Sequence, residues 1–334
     1  MKPEYLDFLL CNQCFQTGLV PEIRQESETG WIEGRLTCRK CSSAYSIRNG
    51  VLDTLSDPGI HLQQEYKAFL EHHKTTFVYD MSKEDQHQFI FGLPDSTGDL
   101  YQGISFRETL DFMGSLKGKR LLDLGSGLSW TTREFARQGA EATALDIIDH
   151  QLFASSLYFE IENIYFERVL SDMERLPFQD ESFDLVFSRA SVHHSLNLPR
   201  LFSEIARILV PGGKFFLSQE PVFGLFERNA IKNFGTEGRS IGSNENCYTT
   251  IEWKTSIHMS NLGHQFIFQS DGLNEKIRQF RLKHRYSNRF WDFVVFISEK
   301  TPLLKLFKIC YISPLHYIIP LNLLITGTKE TEIT

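Results

Sequence analysis

The sequence predicts an α/β fold: a largely parallel sheet with helices on both faces, preceded by a small β-rich unit. Two observations carry that prediction. From about residue 120, short apolar runs alternate with amphipathic stretches, the pattern of strand–helix–strand units. Ahead of them, Cys11, Cys14, Cys38 and Cys41 form two C-x2-C pairs with 23 residues between the pairs.

At 334 residues the chain can hold one large domain and a small one. Its 41% hydrophobic and 23% charged content is that of an ordinary globular protein, and its net charge of −7 argues against coating nucleic acid with the whole surface. MKPEYLDFLLCNQC has only a short apolar run and no small-residue cleavage site, so we expect no export signal. No uninterrupted run of about 18 apolar residues occurs, and the longest candidate, 309–325, is broken by Pro314, His316, Pro320 and Asn322. The expectation is a cytoplasmic protein with reduced thiols.

In that setting two C-x2-C pairs read as four thiolate ligands of a tetrahedral zinc ion. GLVPEIRQESETGWIEGRLTC between them alternates as a β-hairpin, with Gly18 and Gly30 at turns. A core of this size needs a staple, and four thiolates leave no open position for water, so the ion would be structural. LLCNQC, LTCRKCSSAYSIRNGVLDTL and their spacing resemble the small zinc-ribbon activators of tRNA and release-factor methyltransferases, with Ser46 where that family usually has proline. We assign 1–57 to this ribbon. SDPG at 56–59 is a linker turn, and 58–118 is a helical linker and cofactor lid. HLQQEYKAFLEHH and SFRETLDFMGSL are its helices, and 92–103 is a loop.

The remainder, 119–334, is the larger domain. Arg120 to Leu124, Glu141 to Asp146, YFERVLSD, SFDLVFS and GGKFFLSQE are its successive strands, with helices at 129–138, 150–163 and LPRLFSEIARILV. Parallel sheets bind ligands at the carboxyl ends of their strands, where Asp123, Asp146, Asp172, Ser188 and Glu220 fall. The first strand runs into LLDLGSGLS, an acid followed by two alternate glycines. A dinucleotide fingerprint would need a third glycine where Trp130 stands, and no Gly-Lys-Ser/Thr follows to make a P-loop. Asp123 would repel a pyrophosphate but suits an ammonium or sulfonium.

This set resembles the class I S-adenosylmethionine-dependent methyltransferases, whose fold is a Rossmann-like seven-stranded sheet. The resemblance implies that Asp123, Gly125, Ser126 and Gly127 lie against the methionyl end of the cofactor. Asp146, 19 residues after Gly127, would take the ribose hydroxyls beside Ile147. Asp172 and Met173 would meet the adenine edge, and Ser188 the cofactor from the fourth strand. Ser129 replaces a common third glycine and is expected to cap the next helix. Tyr101, with Arg107, would close the site from the N-terminal side. His193 and His194, in FDLVFSRASVHHS, are candidate catalytic bases, with cofactor packing as their alternative role.

Beyond the fifth strand, CYTTIEWKTSIHMSNLGHQFIFQSDG reads as a helix and a sixth strand, and LNLLITGTK as a final antiparallel one. Between them lies an insertion at 272–318. Its 275–310 stretch has nine basic and three acidic residues, a net of +6, interleaved with Phe280, Tyr286, Phe290, Trp291, Phe293, Phe296 and Phe307. Such a segment can bind a lipid surface or RNA, or serve as an amphipathic cap. FWDFVVFI is more apolar than an RNA platform needs. We therefore expect a peripheral contact at the inner membrane face and a small-molecule, glycan or lipid-linked saccharide acceptor. An RNA methyltransferase using the ribbon to hold substrate, and a non-catalytic adaptor of the same fold, are the alternatives.

Overall fold

The computed structural model describes residues 1–55, 59–74, 83–97, 100–149, 152, 155–224, 239–240, 242–269 and 323–331. The linker turn at 56–58 and the insertion at 272–318, with the membrane or RNA contact expected there, lie outside the described residues.

The strands are β1 (Leu19–Ser27), β2 (Gly30–Cys38), β3 (Ala44–Arg48), β4 (Val51–Asp53), β5 (Arg120–Leu124) and β6 (Glu141–Asp146). They continue with β7 (Glu167–Leu170), β8 (Phe183–Arg189), β9 (Leu209–Ser218), β10 (Leu262–Phe268) and β11 (Leu323–Lys329). All join one sheet in the order β1-β2-β3-β4-β7-β6-β5-β8-β9-β11-β10. The four N-terminal strands run antiparallel to one another, and then β4 pairs parallel with β7 through Val51–Arg168, Leu52–Val169 and Asp53–Leu170. The N-terminal unit expected as a separate ribbon is thus continuous with the main sheet. It covers the β7 edge, whose backbone groups would otherwise lie open.

Side chains seal the same junction. Tyr5 Oη lies 2.8 Å from Thr143 Oγ1, and the Arg168 guanidinium donates to the Asn49 carbonyl at 2.6 Å. One apolar cluster runs from Tyr5, Leu36 and Ile47 through Val169 and Phe178 to Leu122 and Val186.

The helices are α1 (Ile60–Lys74), α2 (Lys83–Phe91), α3 (Leu100–Met113), α4 (Trp130–Arg137), α5 (Ser156–Glu162), α6 (Leu198–Ile208) and α7 (Thr250–Met259). In α6, Leu198, Leu201, Phe202, Ile205 and Ile208 are buried at the spacing of one helical face. Asn197 caps it by accepting from the Arg200 N–H at 3.1 Å. Its last residue is Ile208, so Leu209 and Val210, expected as helix, open β9 instead. The loop expected at 92–103 is also shorter. A 3-10 turn occupies Asp95–Thr97 and α3 begins at Leu100. Glycine and proline had marked this stretch as irregular, but Tyr101 and Phe106 are apolar anchors that α3 buries.

β11 lies between β9 and β10 and is antiparallel to both. Gly327 permits that position, because a Cβ there would strike the Gly263 carbonyl and the Phe215 ring. Among the described residues no helix is long and apolar enough to cross a membrane.

Candidate functional site

The strand order reverses at β5, which has β6 on one side and β8 on the other, and ligand crevices of α/β sheets form at such points. A cavity of about 470 Å³ opens there, at the carboxyl ends of the strands. The β5–α4 turn forms its floor. Gly125 has φ +67° and Gly127 φ +53°, conformations that side chains disfavour. A Cβ on Gly125 would collide with Ser191 Oγ, so the close approach that this glycine allows is to the chain's own β8 loop. The N–H groups of Gly125 and Ser126 both donate to the Leu145 carbonyl, at 2.8 and 3.0 Å, tying the turn to β6.

Asp146 ends β6 on the cavity wall. Its Oδ2 accepts from the Gly127 N–H at 2.8 Å, while Oδ1 accepts from Ile147 and Ile148 at 2.8 and 2.9 Å. Burial pushes its carboxyl up from the ordinary value, and these three amides pull the other way. Oδ1 is thus filled by two amides, and Oδ2 keeps a lone pair for a ligand hydroxyl. Ile147, Ile148, Ser171 and Met173 continue the wall beside it, a largely apolar slot suited to a flat ring. Glu65, Ala68 and Phe69 of α1 close the N-terminal side. Tyr101, expected in that role, is buried on α3 and does not line the cavity, and Arg107 is exposed.

Of the other expected cofactor residues, Gly125, Gly127, Ile147 and Met173 line the cavity with Asp146, whereas Asp123, Ser126, Asp172 and Ser188 do not. Asp123 Oδ2 accepts from the hydroxyls of Thr131 and Thr132, each at 2.6 Å, so its carboxylate holds the start of α4. Burial raises its carboxyl to about 6 against the pull of those hydroxyls. Asp172 accepts from the Glu174 N–H at 2.8 Å and is likewise raised by burial. Ser188 Oγ lies 2.6 Å from Ser191 Oγ, which itself donates to the Leu124 carbonyl at 2.9 Å.

The helix cap expected of Ser129 is absent. The residue is left-handed, at φ +57°, and its side chain makes no cap hydrogen bond. Trp130 stands where a dinucleotide fingerprint would need a third glycine. Its indole packs edge-on to Phe106 at 4.8 Å and beneath the Arg189 guanidinium at 5.4 Å.

His193 and His194 sit on a 3-10 turn, Val192–His194, after β8. Glu220, just past β9, holds this turn. Its carboxylate accepts from the N–H groups of Ser191, Val192 and His193 at 3.0, 3.0 and 3.1 Å, and meets His193 Nδ1 at 2.9 Å. The other ring nitrogen, Nε2, lies 3.4 Å from Glu245 Oε2. Burial alone would lower this imidazole, but the two carboxylates outweigh it and raise His193 to about 9. Both ring nitrogens of His193 thus face carboxylates, an arrangement that favours the charged ring over the free base expected there.

His194 faces the cavity. Its Nδ1 approaches Glu65 Oε1 to 2.9 Å as an ion-pair contact, without hydrogen-bond geometry. Glu65 also accepts from Ser243 Oγ at 2.9 Å and the Asn244 N–H at 2.6 Å, so α1 secures the segment before α7. Glu65, Ser191, Ser243 and Glu245 were not predicted as site residues. Glu65, Ala68 and Phe69 share a helical face that the sequence displayed, while the partnerships of Ser243 and Glu245 depend on tertiary folding.

In the N-terminal unit, the sulfurs of Cys11, Cys14, Cys38 and Cys41 lie within 4.8 Å of one another. Cys11 and Cys41 are 3.4 Å apart and Cys14 and Cys38 3.7 Å, close to the edge of about 3.8 Å that zinc–sulfur bonds near 2.3 Å give a tetrahedron. Hydrogen bonds from Ser43 lower the Cys41 thiol to about 6. Cys14 goes up to about 12, through desolvation and its hydrogen bonds with the three other sulfurs. One thiolate forms readily and further ones need a dication, so the donor set fits zinc.

Comparison with known proteins agrees with this architecture. Residues 122–217 match the family model described as a methyltransferase domain. The bifunctional biotin biosynthesis protein BioHC of Cellvibrio japonicus is 36% identical over 126 residues, covering 37% of this chain and 24% of that protein. Sterol 24-C-methyltransferase ERG6B of Gibberella zeae is 33% identical over 118 residues, 34% of this chain and 29% of that one. The chain thus spans less than a third of either curated relative.

Among solved structures, the complex containing the Haloferax volcanii Trm112 methyltransferase activator aligns over 73% of this chain and 96% of the matched chain. Its TM-score is 0.50 and its identity 18%. Phosphoethanolamine N-methyltransferase 2 of Haemonchus contortus, solved with S-adenosyl-L-methionine, aligns over 80% of this chain and 60% of that one, at TM-score 0.50 and 18% identity. At such identities the likeness speaks for the fold.

Proposed function

We propose that the chain is an S-adenosylmethionine-dependent methyltransferase whose cofactor occupies the cavity between the β5–α4 turn and α1. The observation that carries this reading is Asp146. Its carboxylate is locked by three backbone amides at the lip of the cavity, next to the apolar wall of Ile147, Ile148 and Met173. A carboxylate so held can accept from a ribose hydroxyl through Oδ2, and the slot beside it can take an adenine. The match of 122–217 to a methyltransferase domain supports the same reading.

The bound cofactor would supply a sulfonium methyl, and the acceptor would approach from the side of His194, Ser243 and Glu245. Alignment for in-line displacement would provide most of the rate. We read the acceptor as an oxygen or nitrogen of a small molecule, glycan or lipid-linked saccharide, and the four N-terminal cysteines as ligands of a structural zinc ion. The basic, aromatic 275–310 stretch would bring the protein to the inner membrane face.

The test is transfer of labelled methyl from S-adenosylmethionine into a host extract separated into lipid, polysaccharide, RNA and protein. Asp146→Ala serves as the control. Label in lipid or polysaccharide that the control lacks supports the reading. Carbon-bound methyl is scored too, because sterol 24-C-methyltransferases are among the relatives. Label confined to RNA would replace the acceptor class, and no excess over the control would refute transfer.

A further inference from the structure

We propose that the acceptor side of the cavity binds a divalent transition-metal ion through His193, His194 and Glu245, separately from the N-terminal cysteines. Each of the three residues offers one ligand atom, and all three atoms lie within 4.8 Å of one another. His194 and Glu245 both line the cavity, so coordination positions not taken by protein would open onto it. The proposal rests on the methyltransferase reading only for what the ion would do there.

The surroundings are those of a built ligand set. Glu220 has no exposed side-chain surface and meets His193 Nδ1 at 2.9 Å. Metal-binding histidines commonly engage a carboxylate through the ring nitrogen that does not bind the metal, which sets the ring's orientation. That leaves His193 Nε2 directed toward Glu245 Oε2, 3.4 Å away. Glu220 is itself immobilised by three backbone amides, so the histidine turn has little freedom.

Glu245 is also placed by its neighbours. Asn246 donates through Nδ2 to the His193 and Ser195 carbonyls at 2.9 and 3.0 Å, and Tyr248 Oη donates to the Ser195 carbonyl at 2.5 Å. These contacts fasten the segment carrying Glu245 to the segment carrying the histidines.

A second observation points to a ligand. His194 Nδ1 is buried and makes no hydrogen bond, although Glu65 Oε1 is only 2.9 Å away. Charge points the same way, since Glu65, Glu220 and Glu245 surround two imidazoles. Two nitrogens and a carboxylate oxygen form a borderline donor set that suits zinc, cobalt, iron or manganese ions better than calcium. The group such an ion would take from the acceptor is an oxygen of a hydroxyl or carboxylate, brought beside the cofactor's methyl.

The experiment uses the full chain with one equivalent of zinc already bound by the cysteines, and the probe is Co2+. Cobalt held by nitrogen and oxygen gives weak visible bands without the intense thiolate-to-cobalt charge transfer that marks cysteine ligation. S-adenosylmethionine binding is measured on the same samples. The expected result is one further equivalent of Co2+ with nitrogen/oxygen bands. Its affinity should fall about tenfold or more in His194→Ala and Glu245→Gln, and about 10- to 100-fold in Glu220→Gln.

If His194→Ala does not fold, Glu245→Gln decides alone, because that side chain is partly exposed. A blank spectrum, thiolate bands only, or variants that bind like the wild type would overturn the proposal and leave a metal-free imidazolium paired between two carboxylates. Cobalt binding without cofactor binding would keep the metal site and remove the methyltransferase reading. Cofactor binding without cobalt would do the reverse.

Discussion

Asp123 and Asp146 stand near the carboxyl ends of adjacent strands, yet burial has put them to different uses. Asp146 looks into the cavity with backbone amides on both oxygens. Asp123 is spent on two threonine hydroxyls. Its carboxyl, raised to about 6 by burial, lies above the unfolded value of 3.8, so the folded chain binds the extra proton between those limits. Its stabilising contribution is therefore complete below about pH 4 and is lost as pH rises through about 6. Ionised at neutral pH, it costs on the order of 3 kcal/mol. Asp123→Asn should unfold at higher denaturant than the wild type near pH 7.5, with the gap roughly halved near pH 5. An unchanging gap would show that Asp123 is not titrating as a buried acid. The sequence made Asp146 legible through its distance from Gly127. It could not separate a ligand-facing Asp123 from a helix-bracing one, since that depends on which rotamer Thr131 and Thr132 reward. The pairing of His193 was not legible for a related reason, because its partners Glu220 and Glu245 are distant in sequence.

Among the elements, β11 shows how far pattern carries. An apolar run near the chain's end was enough to predict an antiparallel strand, and β11 occupies that place between β9 and β10. Its glycine carries a further requirement. Gly327→Ala would drive a methyl into the Gly263 carbonyl and the Phe215 ring, at a cost on the order of 2–3 kcal/mol. Chemical denaturation would measure it, and a change below about 0.5 kcal/mol would mean that the three strands are looser than they look. Helix α1 was expected as part of a helical cofactor lid, and Glu65, Ala68 and Phe69 do line the cavity, but which of its residues would do so was not legible. Its periodicity reveals a face, and nothing local says whether that face meets core or ligand. The boundary between α6 and β9 was misplaced because Leu209 and Val210 suit either element.

For the whole molecule, the main consequence is that the N-terminal strands and the methyltransferase-like sheet are one structure. Composition and cysteine spacing made the first unit visible. Its docking was not visible, because β4 is only three residues long and its partner β7 lies more than a hundred residues away. Continuous strands and a shared apolar cluster imply cooperative unfolding. If zinc is held as proposed, a strong chelator should lower the melting temperature of the entire chain in a single transition. Followed by calorimetry, a separate low-temperature transition for the cysteine unit would contradict that coupling.

The central claim is that the cavity beside Asp146 is a cofactor site, and calorimetric titration of the full chain with S-adenosylmethionine tests it most directly. The account predicts binding at one site, weakened about tenfold or more in Asp146→Ala through loss of a charge-assisted hydrogen bond and of the bracing of the Gly127 turn. Equal binding by both proteins would place the cofactor elsewhere, and no binding by the wild type would contradict the claim outright.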